Sequence, residues 1–197
     1  MSIPSPESTA GWANLDPEEK RRRLLRAAGE VFARDGLDAP MPAIAAAAGA
    51  GIGSVYRQFR SKRDLLAALV VERLTDVEDG AKDALASAVG PWAALTAFLW
   101  KLAERQAGDH VFAEAMATVS EDPAVRRALE STTETLERLL GAARAEGRLR
   151  ADATTLDLRL LFAATRAASE LESGAWRRML ELGIDALEAG ARARRGS

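Results

Sequence analysis

Apolar and polar positions between residues 44 and 66, IAAAAGAGIGSVYRQFRSKRDLL, follow a helical period twice, on either side of a glycine-rich corner. Ile44, Ala45 and Ala48 fall on one face of a short helix, and Gly49 is the residue type that takes the left-handed conformation ending such a helix. Ile52, Val55, Tyr56 and Phe59 recur at i, i+3, i+4 and i+7. This predicts a second helix of about two turns that starts near Gly51 and buries all four. Its other side carries Gly53, Ser54, Arg57 and Gln58.

The same period, read together with capping residues, partitions the rest of the chain. Residues 1–14, rich in Ser and Pro, predict a disordered arm. Asp16 as cap, Pro17 at the first position and Glu19 three residues after the cap form a capping box for helix 1. Its stripe is Leu24, Ala28, Val31 and Phe32, and Gly36 stops it. Ala39, Pro40, Met41 and Pro42 lead into the next helix, where a missing proline N–H costs nothing. Ser61 and Asp64 make a second capping box, for a helix expected over 61–79 through Leu65, Leu69 and Val70.

Five further helices are expected. One opens at Pro91 and runs through Trp92, Leu95 and Leu99; a short one carries Val111, Phe112 and Met116; a long one runs from Asp122 and Pro123 to near Gly147. The fourth starts at Thr154 or Thr155, and the last, from near Ser173, buries Trp176, Leu180, Gly183, Ile184 and Leu187. The expected architecture is all-α: an arm (1–14), a three-helix domain (15–60), a connecting helix (61–79) and a larger helical domain (80–197).

Composition agrees, since Ala and Leu dominate and aromatics are 5%, which leaves strands little to build with. The absence of cysteine removes disulfides, thiolate metal sites and cysteine nucleophiles. No apolar run approaches the roughly 20 residues of a membrane span, and the N-terminal residues lack a basic stretch followed by an apolar one, so a cytoplasmic location is expected. The net charge of −2 conceals an asymmetry. Residues 20–63 hold ten Lys and Arg against Glu30, Asp35 and Asp38, a surplus of seven positive charges, and the remainder is correspondingly acidic. A cationic segment on an acidic body is the footprint of a chain that meets a polyanion at one end. Two short helices at a tight glycine corner form a helix-turn-helix, whose second helix enters the DNA major groove. An activator or a nucleoid-type DNA binder without an inducer is the alternative in the same class, and a helical enzyme or binding module in which the basic segment is incidental is the alternative in another. No paired carboxylates, phosphate loop or nucleophile with a base appears, so no catalytic residue, metal or cofactor is assigned. His110, the one histidine, reads as a polar residue at a helix start.

Three motifs together carry a resemblance. AA-x-x-x-F at 27–32, IA-x-x-AG at 44–49 and G-S-V-Y-x-x-F-x-S-K-x-x-L at 53–65 resemble the TetR family of transcriptional regulators. The resemblance implies an N-terminal helix-turn-helix DNA-binding domain and a C-terminal helical ligand-binding and dimerisation domain. It implies a repressor that binds a near-palindromic operator in double-stranded DNA and is released by a small-molecule effector. It also implies a homodimer in which helices over 154–171 and 174–191 pack as a four-helix bundle. Where the family commonly has Thr or Ser at the start of helix 2, this chain has Ala39 to Pro42, and the hydroxyl for a phosphate contact is absent.

The expected DNA-binding residues are Gly51, Gly53, Ser54, Tyr56, Arg57, Gln58 and Lys62. The glycines let backbone approach DNA, Arg57 and Ser54 can reach base edges, and Tyr56, Gln58 and Lys62 can reach phosphates. Gln58 stands where the family commonly has His. For the effector, Trp92, Trp100, Phe112, Met116 and Phe162 either line a cavity or pack as plain core. Arg166, with Glu170, could orient a ligand or tie two subunits together.

Overall fold

The computed structural model describes residues 12, 14–106 and 110–190. Nine helices form among them: α1 (Pro17–Asp35), α2 (Met41–Ala48), α3 (Ile52–Gln58), α4 (Lys62–Leu85), α5 (Pro91–Gln106), α6 (His110–Val119), α7 (Pro123–Ala145), α8 (Thr155–Leu171) and α9 (Ala175–Leu187). The extended pairing among the described residues is a single antiparallel bridge, Leu149 to Glu188. The residues divide into two compact units. One holds those up to Arg73 together with His110–Arg126, and the other holds those from Leu74 to α5 and from Arg127 onward.

In the first unit, Asp16 Oδ1 accepts from the Glu19 amide at 2.8 Å, and Gly36 ends α1 at φ 78°. Leu24, Leu25, Ala27, Ala28, Val31 and Phe32 form the buried stripe of α1, which packs on α2 and α6. α2 buries Met41, Ile44, Ala45 and Ala48 without a side-chain cap, as its proline-bounded start requires. The arm expected over 1–14 lies outside the described residues except at Trp12 and Asn14, and there the structure corrects it. Trp12 is buried, and its carbonyl accepts from the Leu15 amide at 3.3 Å. An indole offers enough apolar surface to favour burial of this one residue.

The second unit is a core of Leu95, Leu99, Leu139, Leu140, Leu158 and Leu180 with Trp92 and Trp176. α4 continues to Leu85 instead of stopping at 79. Gly80, just past the expected end, is helical, and Phe98 packs over it: a Cβ there would lie 3.3 Å from Phe98 Cε2. Lys82 extends the helix with ion pairs to Glu78 at 2.7 Å and Asp79 at 3.4 Å. The hydrogen bond from Lys82 holds the Glu78 carboxyl below the usual carboxylate range. Thr154 caps α8 in a capping box with Asp157, whose Oδ2 accepts from the Thr154 amide at 2.8 Å. The last helix, expected over 174–191, ends at Leu187, because Glu188 turns extended to bridge Leu149. Ala191 lies outside the described residues.

α8 and α9 pack closely, and Gly183 makes this possible: a Cβ added there would overlap Leu161 Cδ1. Gly183→Ala is therefore expected to destabilise despite a helix-propensity gain of up to about 1 kcal/mol, since overpacking costs about 1–3 kcal/mol. Thermal denaturation of Gly183→Ala, Leu161→Ala and the double variant checks this. The double variant should be less destabilised than the sum of the singles.

Candidate DNA-binding surface

The helix-turn-helix is built by local rules. Gly49 takes φ 64° and ψ 30°, its amide reaches Ala46 O at 3.1 Å, and the Ala50 amide reaches Ala45 O at 2.9 Å. This double closure satisfies the carbonyls at the end of α2 and turns the chain sharply. Gly51 caps α3 in an extended conformation, and the Ser54 amide bonds Gly51 O at 2.8 Å.

Burial along α3 is narrower than its periodicity predicts. Val55 and Phe59 are buried, but Ile52 is 40% and Tyr56 49% exposed. The four residues span an arc of about 100° on the helix. The core covers only the Val55 and Phe59 edge of it. Tyr56 is thus about half exposed and lies outside the buried core. Gly51, Gly53 and Arg57 are exposed, and Ser54 and Gln58 are half-buried. At neither Gly51 nor Gly53 would a Cβ meet an atom of the chain within 4 Å, and neither has a positive φ. The fold itself does not require glycine at these positions.

Arg57 Nη2 donates to Ser54 Oγ at 2.8 Å, so the two polar side chains on the open face form one unit. Lys62 lies in the first turn of α4, where Ser61 Oγ accepts from the Asp64 amide at 3.1 Å. Its ammonium sits 5.8 Å from the centre of the Phe32 ring. Arg21, in α1, stacks its guanidinium 4.9 Å from the centre of the Phe59 ring. Sequence reasoning placed Arg21 in the run from Lys20 to Arg23, exposed on the first turns of helix 1 where it could face phosphates, but did not find its ring partner, which is remote in the chain. The surface that results is an exposed short helix with open backbone, with one cation over the ring that ends it and another at the start of the next helix. Such a surface can enter a groove and grip phosphates.

The expected effector residues are distributed over both units. Trp92 is buried and Phe162 half-buried in the core of the second unit, with Trp100 at 6.1 Å from Trp176. Arg166 is half-buried on α8. Phe112 and Met116, half-buried on α6, belong to the first unit. The second unit has a cleft of about 180 Å³ between α4 and α5, with Val77, Phe98 and Leu102 as apolar lining and Asp76, Asp83 and Arg105 as polar lining. Arg105 Nη2 bridges it to Asp76 Oδ2 at 2.6 Å. None of the six expected residues lines this cleft. Among the described residues no group of His, Asp and Glu could hold a metal ion, and no helix is long and apolar enough to cross a membrane.

Comparison with known proteins agrees with this geometry. Residues 24–69 match the family described as bacterial regulatory proteins, tetR family, and residues 90–189 match the C-terminal domain of SbtR-like transcriptional regulators. No curated protein matches the sequence. Among solved structures, a TetR transcription regulatory protein from Mycobacterium vanbaalenii is 30% identical with a TM-score of 0.66, over 91% of this chain and 98% of that one. A TetR transcriptional regulator from Streptomyces coelicolor is 27% identical with a TM-score of 0.63, over 86% and 98%. A structure described as the molecular basis for control of antibiotic production by bacterial hormones is 25% identical with a TM-score of 0.67, over 88% and 100%.

Proposed function

Because this chain belongs to the TetR family of bacterial regulatory proteins, DNA-binding transcription factors rather than enzymes, we propose that it is a dimeric repressor released from a near-palindromic operator by a small molecule. The observation that carries the operator reading is the open face of α3. Exposed Gly51, Gly53, Tyr56 and Arg57, with Ser54 and Gln58 beside them, have no packing role that would explain the two glycines.

Dimerisation is supported by leucines that a monomer leaves in water: Leu156 and Leu160 on α8, 56% and 59% exposed, and Leu182 on α9, 44% exposed. Two copies related by a twofold axis would offer two α3 helices to half-sites one helical turn apart. Release is supported by the likeness to a structure solved for hormone control of antibiotic production. An effector held by the second unit acts only through its differential affinity for the two states of the protein, and α4 and α7, each continuous from one unit into the other, are covalent routes between them. Quenching of Trp100 and Trp176 fluorescence across a small-molecule panel reports such binding.

Selection from a randomised duplex pool tests the operator. A near-palindrome should emerge, and affinity for it should exceed that for a scrambled duplex at every salt concentration. Equal binding to all duplexes with a steep salt slope would instead leave a nonspecific binder. Arg57→Ala should weaken operator binding by about 1–3 kcal/mol per half-site and relax preference at one base position. Lys62→Ala should weaken matched and scrambled DNA alike. Fluorescence anisotropy on both duplexes separates the two variants.

A further inference from the structure

We propose that Arg21 is a phosphate-binding residue of the DNA-binding surface, supplied by α1 and aimed by Phe59; this rests on the operator reading above. Phe59 is 2% exposed and ends α3, so its ring is fixed by the core. The Arg21 guanidinium lies 4.9 Å from the centre of that ring. Stacking occupies one face of the planar group, leaving its in-plane N–H donors free to point outward. Arg21 is half-buried, and among the described residues no carboxylate pairs with it. A guanidinium that serves only to brace two helices gains from an acidic partner, and Glu18 and Glu19 lie in the preceding turn without taking that place.

Position strengthens the assignment. In sequence, Phe59 sits between Gln58 and Lys62, the two residues expected on phosphates, so stacking on its ring brings the α1 cation to the edge of α3. Lys62 is held in the same manner, over Phe32 farther along α1. Each aromatic ring thus presents one cation, at separate points along α1. A pre-oriented guanidinium also loses less rotamer freedom on contact than an unsupported lysine. This chain lacks the hydroxyl at the start of α2 and caps that helix with Pro40, so its phosphate contacts must come from elsewhere.

Salt titration of the full-length protein on operator and scrambled duplexes provides the test, with Arg21→Gln and Arg21→Lys. Each lost phosphate contact lowers the log–log salt slope by about 0.9, so Arg21→Gln in a dimer should lower it by about 1.8, equally on both duplexes. Arg21→Lys keeps the charge and should retain most of the slope. Thermal denaturation runs alongside. An unchanged slope for Arg21→Gln with a lower Tm would make Arg21 a brace only and overturn the inference. If the wild-type protein binds no duplex, the operator reading falls first, and this one with it.

Discussion

Leu160→Glu is expected to give a folded monomer that binds a two-half-site operator about a thousandfold or more weakly than the wild type. The side chain is 59% exposed on α8 and neighbours Leu156, 56% exposed, one turn earlier. Glutamate has a helix propensity close to that of leucine, so the isolated chain loses little by the change. In a twofold interface the same change places two carboxylates against apolar partners and removes roughly 1 kcal/mol of burial per leucine on each side. Binding suffers far more. Specific dimers hold their sites at on the order of 10⁻⁸ to 10⁻¹¹ M, and a monomer keeps about half of those contacts and hence about half of that free energy. Light scattering reads the mass and anisotropy the affinity. A variant that remains dimeric with full operator affinity would place the subunit interface elsewhere, and Leu182→Glu on α9 would be the next substitution to examine.

Local rules made the helices readable in advance. Asp16, Gly36, Gly49, Ser61 and Thr154 each mark a boundary through bonds that span three to five residues, and each stands at the boundary it predicts. Features that depend on distant partners were not readable. The packing of Phe98 over Gly80 joins residues remote in the chain, and the close approach of α8 and α9 depends on Gly183 facing Leu161. The partner of Arg21 is a ring in another helix. Periodicity identified the outward side of α3 but overestimated the inward one, because it reports which residues share an arc and not how much of that arc a neighbour covers. The aromatic set behaves similarly. Helical spacing marks Trp92, Phe112 and Phe162 as inward-facing, yet carries no information on which unit each one faces, and the structure assigns Phe112 to the first and the others to the second.

Gly53→Ala is expected to move stability and DNA binding in opposite directions. Gly53 is the second residue of α3, has a negative φ, and would give a new Cβ nothing to touch within 4 Å. Alanine there should raise stability by up to about 1 kcal/mol through the unfolded-state entropy that glycine carries. Gly49→Ala makes the control, because its φ of 64° penalises any side chain and the variant should lose stability. If α3 lies in the major groove with its backbone against DNA, the methyl group that Gly53→Ala adds occupies space the duplex needs. A penalty of about 1 kcal/mol at each of two half-sites amounts to roughly a thirtyfold loss of affinity. A packing role for Gly53 would lower Tm on substitution, and a merely tolerated glycine would leave affinity unchanged. A higher Tm with weaker binding follows only when the space beside Gly53 belongs to a partner that arrives from outside the chain.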